Sequence, residues 1–86
     1  MVARQFNQKQ YEAVEEYILS SSQNSPVTGI YEVGLTVNSE RYTVFLQPDR
    51  RCKINVLCAQ RGSGREIITS GALLTALFEL VAAQVL

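Results

Sequence analysis

The 86-residue chain contains no histidine and only two cysteines. Without imidazole it lacks the usual general base of nucleophilic catalysis and a principal zinc ligand, so no familiar catalytic triad or metal centre can be drawn from it. Cys52 and Cys58 fall on one expected strand with the same parity, which at ~3.3 Å per residue sets them ~20 Å apart. A disulfide spans at most ~7 Å between Cα atoms, so both read as buried free thiols. Neither sign of charge is in excess, eight basic residues facing eight acidic ones. No field of the whole molecule then steers nucleic acid or membrane, and an electrostatic partner must be recognised locally. No apolar run reaches the roughly 18 residues that a spanning helix needs, and the opening MVARQFNQKQ has no run of signal-peptide length. A cytoplasmic protein with no membrane partner is expected.

What is present is concentrated at the end. The segment Gly71 to Leu86 carries one full charge, Glu79. Laid out at 100° per residue, Leu73, Leu74, Leu77, Phe78, Leu80, Val81 and Val85 fill an arc of roughly 160°, wider than the ~100° stripe of a single core contact. Ala72, Ala76 and Ala83, with Thr75 and Glu79, hold the opposite side. A domain of this length buries only about 60 to 65% of its unfolded surface, so a partner subunit would add stability. Leu73, Leu77 and Leu80 suffice to cover a sheet, which leaves Leu74, Phe78, Val81 and Val85 as a seam for a second copy.

Upstream, Asn7 and Gln10 have the spacing of a capping box, with Phe6 and Tyr11 placed as its hydrophobic staple. A helix is expected from Gln8, with Tyr11, Val14 and Ile18 on its inner face, Tyr17 at the edge, and Glu12, Glu15 and Glu16 outward. The run Ser20 to Pro26 ends it, because its hydroxyls and amides compete for backbone bonds and the residue before proline avoids helical angles.

Strand alternation follows. Tyr31, Val33, Leu35 and Val37 share one face, and Tyr42, Val44 and Leu46, alternating in the same way beyond Asn38 and Ser39, fall on that same face. A two-residue hairpin there sets Leu35 against Tyr42, Val33 against Val44 and Tyr31 against Leu46. A three-residue loop, Asp49 to Arg51, sets Leu46 against Ile54 and Val44 against Val56, giving a third strand from Cys52 to Gln60. Gly62-Ser63-Gly64 is a turn, too short for a Walker loop. Arg65 to Ile68 either forms a short fourth strand or leads into the last helix, which Thr69 or Ser70 caps.

The expectation is a single α+β domain over residues 1–86: a two-layer sandwich in the order α-β-β-β-α, with an antiparallel three-stranded meander and both helices on one face. Its open face would carry Glu32, Gly34, Thr36, Arg41, Thr43, Phe45, Gln47, Lys53, Asn55, Leu57 and Ala59. Phe45 and Leu57 make a small apolar spot there, a second candidate protein contact.

Basic residues cluster between Arg41 and Arg65, where Arg41, Arg50, Arg51, Lys53, Arg61 and Arg65 face Asp49 alone. Residues 1–40 have the opposite balance. Such a segment can position phosphates, with Phe45 as a stacking platform, or it can be the solvated edge of a sheet. The order α-β-β-β-α resembles that of the double-stranded-RNA-binding domain and of the small Alu-RNA-binding subunits of the signal recognition particle. The first of these families has a Gly-rich loop leading to paired lysines. Here Arg65-Glu66-Ile67-Ile68 stands in that place, and no binding residues are carried over.

The reading is a small non-enzymatic interaction, adaptor or regulatory protein with no cofactor or metal. It is homodimeric through Leu74, Phe78, Val81 and Val85, and contacts an unidentified protein partner with Phe45 and Leu57. The alternative is an RNA-binding module using the basic segment and the open sheet face.

Overall fold

A computed structural model describes residues 2–22, 29–49, 51–62, 66–69 and 71–86. The elements are β1 (Val2–Gln5), α1 (Gln8–Ser21), β2 (Tyr31–Val37), β3 (Glu40–Pro48), β4 (Lys53–Arg61), β5 (Glu66–Ile68) and α2 (Gly71–Ala83). The three-stranded meander lies between two helices as expected, and β5 is the short fourth strand. β1 is an addition that composition and periodicity did not announce.

α1 starts where its cap dictates. The Asn7 side chain accepts from the Gln10 backbone N–H at 2.8 Å, satisfying one of the free donors of the first turn. Phe6 and Tyr11, the two staple residues, are both buried, as are Val14 and Ile18. The helix ends at Ser21, and the Ser22 N–H returns to the Ile18 carbonyl. The helix thus runs through Ser20 and Ser21, two residues into the run expected to stop it, and Ser22 caps it; residues 23–28 of the connection lie outside the described residues.

Asn38 and Ser39 both take positive φ, 49° and 68°, the backbone sense that matches a tight turn to the right-handed twist of its strands. The pairing is the one that alternation demands: Tyr31 with Leu46, Val33 with Val44, Leu35 with Tyr42. The β3–β4 register differs from expectation. Leu46 opposes Val56 and Pro48 opposes Ile54, a slip of two residues that keeps the same face inward. The longer turn follows from Cys52, whose φ of 59° puts it in the bend rather than on the strand.

Between Phe45 and Leu46 the ladder shifts, leaving Leu57 as an extra residue in β4. This bulge reverses the parity of everything after it. Ile54 and Val56 point into the core, and so does Ala59, which is fully buried rather than on the open face. Cys58 takes that outward position opposite Phe45.

The sheet order is β1-β4-β3-β2, with β5 also on β4. β1 pairs with residues 53–56 of β4 and β5 with residues 59–61, both antiparallel. The two short strands therefore lie end to end along one edge of β4, a single line composed of two distant pieces of chain. Side chains from both helices, Phe6 and one face of the sheet form one hydrophobic cluster, with Val14, Ile18, Val33, Val44, Leu46, Ile54, Val56, Ala59, Leu74 and Val81 at 0% exposure. Among the described residues no helix is long and apolar enough to cross a membrane.

Candidate functional site: the outer side of the last helix and the edge of the sheet

The roll of α2 about its axis decides which residues meet water. Phe78 is 1% exposed and sits edge-on to Phe6, ring centroids 6.1 Å apart at 77°. Such T-shaped pairs add to the value of the buried area itself. Next to it, on the exposed side of the helix, Glu79 forms an ion pair with Arg4 of β1, and the Arg4 guanidinium lies 4.9 Å above the Phe6 ring. These contacts with β1 and its exit turn the helix so that Leu74, Leu77, Phe78, Val81 and Ala82 are buried.

That roll corrects the expected division of labour. Leu74, Phe78 and Val81 are core of their own chain and offer no seam to a second copy, because fully buried side chains have no free surface to present. Leu73 and Leu80, expected to cover the sheet, are instead 38% and 40% exposed. Val85 lies beyond the helix, which stops at Ala83, and is exposed with Leu86. An open groove of ≈ 320 Å³ runs between it and α1, lined by Ala13, Glu16, Tyr17, Ser20 and Val85.

The water-facing side of α2 is therefore Ala72, Leu73, Thr75, Ala76, Glu79, Leu80 and Ala83. Its one charge, Glu79, is held by Arg4. Leu73, Ala76, Leu80 and Ala83 are spaced three, four and three residues apart, the spacing of a helix-pairing seam, with small residues that permit close approach.

Which way this side looks follows from Arg4. β1 lies beyond β4 at one margin of the sheet, and β2 forms the other. Glu79 reaches to β1, so Leu73 and Leu80 lie on the flank of α2 turned away from β1. Leu35 and Val37 of β2, which share the core face, are half-buried against the cluster.

The basic residues are not gathered. Arg41 and Lys53 share the outer face, but Arg41 is at the hairpin end of β3 and Lys53 pairs beyond its far end, eight residues or ~26 Å away. Arg51 sits in the β3–β4 turn, its N–H bonded to the Asp49 carboxylate at 2.8 Å. Arg61 is on the inner face, 5.5 Å over the Tyr42 ring and 3.3 Å from Glu66. Arg50, Ser63, Gly64, Arg65 and Ser70 lie outside the described residues. Phe45 and Leu57 are both half-buried and adjoin at the bulge, with the exposed Ile67 on the same face.

The β3–β4 turn is tied to α1 by polar contacts. The Tyr11 hydroxyl lies 2.5 Å from the Asp49 carbonyl and 3.1 Å from the Glu15 carboxylate. Burial, then the Glu15 carboxylate, pushes this phenol well above its ordinary value, since both disfavour a phenolate. The Cys52 thiol donates to Gln8 at 3.2 Å, and both cysteines are free and half-buried. Among the described residues no group of three or more cysteine and acidic side chains is placed to hold a metal ion. No protein-family model matches the chain, and no curated protein or solved structure matches it significantly.

Proposed function

We propose that this chain is a non-enzymatic protein-interaction module that acts through self-association, its contact surface being the outer side of α2. The observation that carries the reading is how little charge stands there, a single carboxylate paired with Arg4. Exposed leucines taken singly are ordinary, but a water-facing helix surface normally carries several charged side chains. Here Leu73 and Leu80 stand among alanines and one threonine, and the only carboxylate is committed to Arg4. Removing such a surface from water is worth ~25 cal/mol per Å². A homodimer formed this way is a preformed platform for a further protein partner, an adaptor or regulatory role.

Sedimentation equilibrium across 1 to 100 µM, about the range in which modest interfaces form, tests this directly. Twice the chain mass is expected at the upper end, and the double substitution Leu73→Glu with Leu80→Glu should return the mass of one chain while circular dichroism stays unchanged. A wild-type protein that remains a single chain throughout would defeat the reading.

A further inference from the structure

We infer that the second copy docks edge to edge through β2, so that the two five-stranded sheets run on as one across a twofold axis at Gly34. This rests on the self-association reading and deepens it, since it names the surface that completes the interface.

Two hydrogen bonds reveal which backbone groups of β2 face outward. The Arg41 carbonyl accepts from Gly62 N–H at 2.8 Å, on the β4 side of β3, so Arg41 makes no ladder bonds with its partner Thr36. On the β2 strand, Thr36, Gly34 and Glu32 consequently turn their N–H and C=O groups away from the sheet. The Glu32 N–H confirms the alternation, for it points outward to the Ser22 hydroxyl at 3.3 Å. Residues 31–37 contain no lysine, proline or bulge of the kind that defends a sheet margin.

The register is self-complementary. With Gly34 opposite Gly34 of the second copy, Glu32 falls opposite Thr36, all outward-facing groups find ladder partners, and Ser22 gives up a long hydrogen bond. Charge fits as well. Glu32, Thr36 and Arg41 lie on the same outer face, and the Arg41 guanidinium hangs over Gly34, Nη2 3.5 Å from where a Cβ would stand. Among the described residues neither Glu32 nor Arg41 has an ion-pair partner within the chain. In the joined sheet the row reads Arg41, Thr36, then Glu32 of the second copy, so an arginine already leaning toward the margin meets a carboxylate on each side of the axis.

Area points the same way. A 13-residue helix is about 20 Å long and about 10 Å wide, too small alone for the roughly 800 Å² per partner of a stable interface. Leu73 and Leu80 lie on the flank of α2 away from β1, the side on which β2 is the margin of the sheet. A twofold at Gly34 keeps both helical layers on one side of the joined sheet and brings those two flanks toward each other, enlarging one contact rather than making two.

The test uses charge reversal in the full chain with sedimentation as readout. Glu32→Lys alone sets a second cation against Arg41 and should lower the dimer fraction at 50 µM at least tenfold, as should Arg41→Glu alone, which faces Glu32. Mixed in equal amounts, the two variants should recover wild-type dimer, because each reversed charge then meets its opposite. Gly34→Pro, which removes an outward N–H and sets a ring beside the Arg41 guanidinium, should give single chains whose circular dichroism matches wild type. Dimers that persist in all three variants would overturn the β2 interface while leaving self-association standing. Variants that lose the dimer without recovery on mixing, or wild-type mass that climbs without limit, would overturn the closed twofold. A wild-type protein that never dimerises would remove both this inference and the reading beneath it.

Discussion

The two helices each bury an inner stripe, Tyr11, Val14 and Ile18 on α1 and Leu74, Leu77, Phe78, Val81 and Ala82 on α2, and differ in what they show to water. α1 turns Glu12 and Glu16 outward and sets its first turn with an Asn7 cap, a surface finished for solvent. α2 turns alanines, Leu73 and Leu80 outward, and its single carboxylate is spent on Arg4. The inner side of a helix therefore says little about its role. Only the outer side separates a helix that closes a core from one that closes a core and leaves a surface unfinished.

The largest effect should come from the inner side of α2. Phe78→Ala removes the partner of Phe6 and leaves a cavity, so urea unfolding should show a loss of about 3 to 5 kcal/mol. A loss below about 1 kcal/mol would mean that α2 is loosely seated and that the contrast lies in docking rather than in surface.

Next in size is an alkaline effect particular to α1. The folded state raises the Tyr11 value, so its stabilising contribution is complete below the unfolded value near 10 and declines as pH rises above it, by up to about 1.4 kcal/mol per pH unit. Tyr11→Phe should accordingly lie below wild type in stability at pH 8, with the gap narrowing beyond pH ~10. A constant gap in chemical denaturation would show that the hydroxyl is not held as described.

Asn7→Ala comes third, at about 1 kcal/mol, since only one N–H loses its acceptor. The smallest change should be Leu19→Gln on α1, whose side chain is 49% exposed, within about 0.5 kcal/mol at any protein concentration. Leu80→Gln on α2 should match it at nanomolar concentration and diverge at tens of micromolar, an order set by interface size. Identical concentration dependence for the two would erase the contrast.

Much of the architecture is legible because local signals agree with one another. Asn7, Gln10, Phe6 and Tyr11 mark the start of α1, and the Tyr31 to Leu46 alternation carries both the turn and the register. The illegible parts trace to β1. Four residues, VARQ, are too few to show a period, yet Arg4 and Phe6 set the roll of α2 through Glu79 and Phe78. An arc wider than one contact leaves that roll open, and so periodicity alone assigns the wrong half to the sheet. Ala82 is the available hint, since a small residue beside Phe78 suits the closest approach of a helix to strands. The bulge at Leu57 has no signature either, and it moves Ala59 inside.

The margin built from β1 and β5 imposes an order of assembly. Arg4 meets Glu79, 75 residues further along the sequence, and Phe6 meets Phe78, so both contacts close very long loops. The Asn38 hairpin, by contrast, needs only neighbours. Closing the longest loops comes last when local pairs are cheap, so the hairpin nucleates and β1 locks onto α2 afterwards like a clasp. Arg4→Ala should then quicken unfolding and leave the refolding rate nearly unchanged, while a substitution at Asn38 should slow refolding.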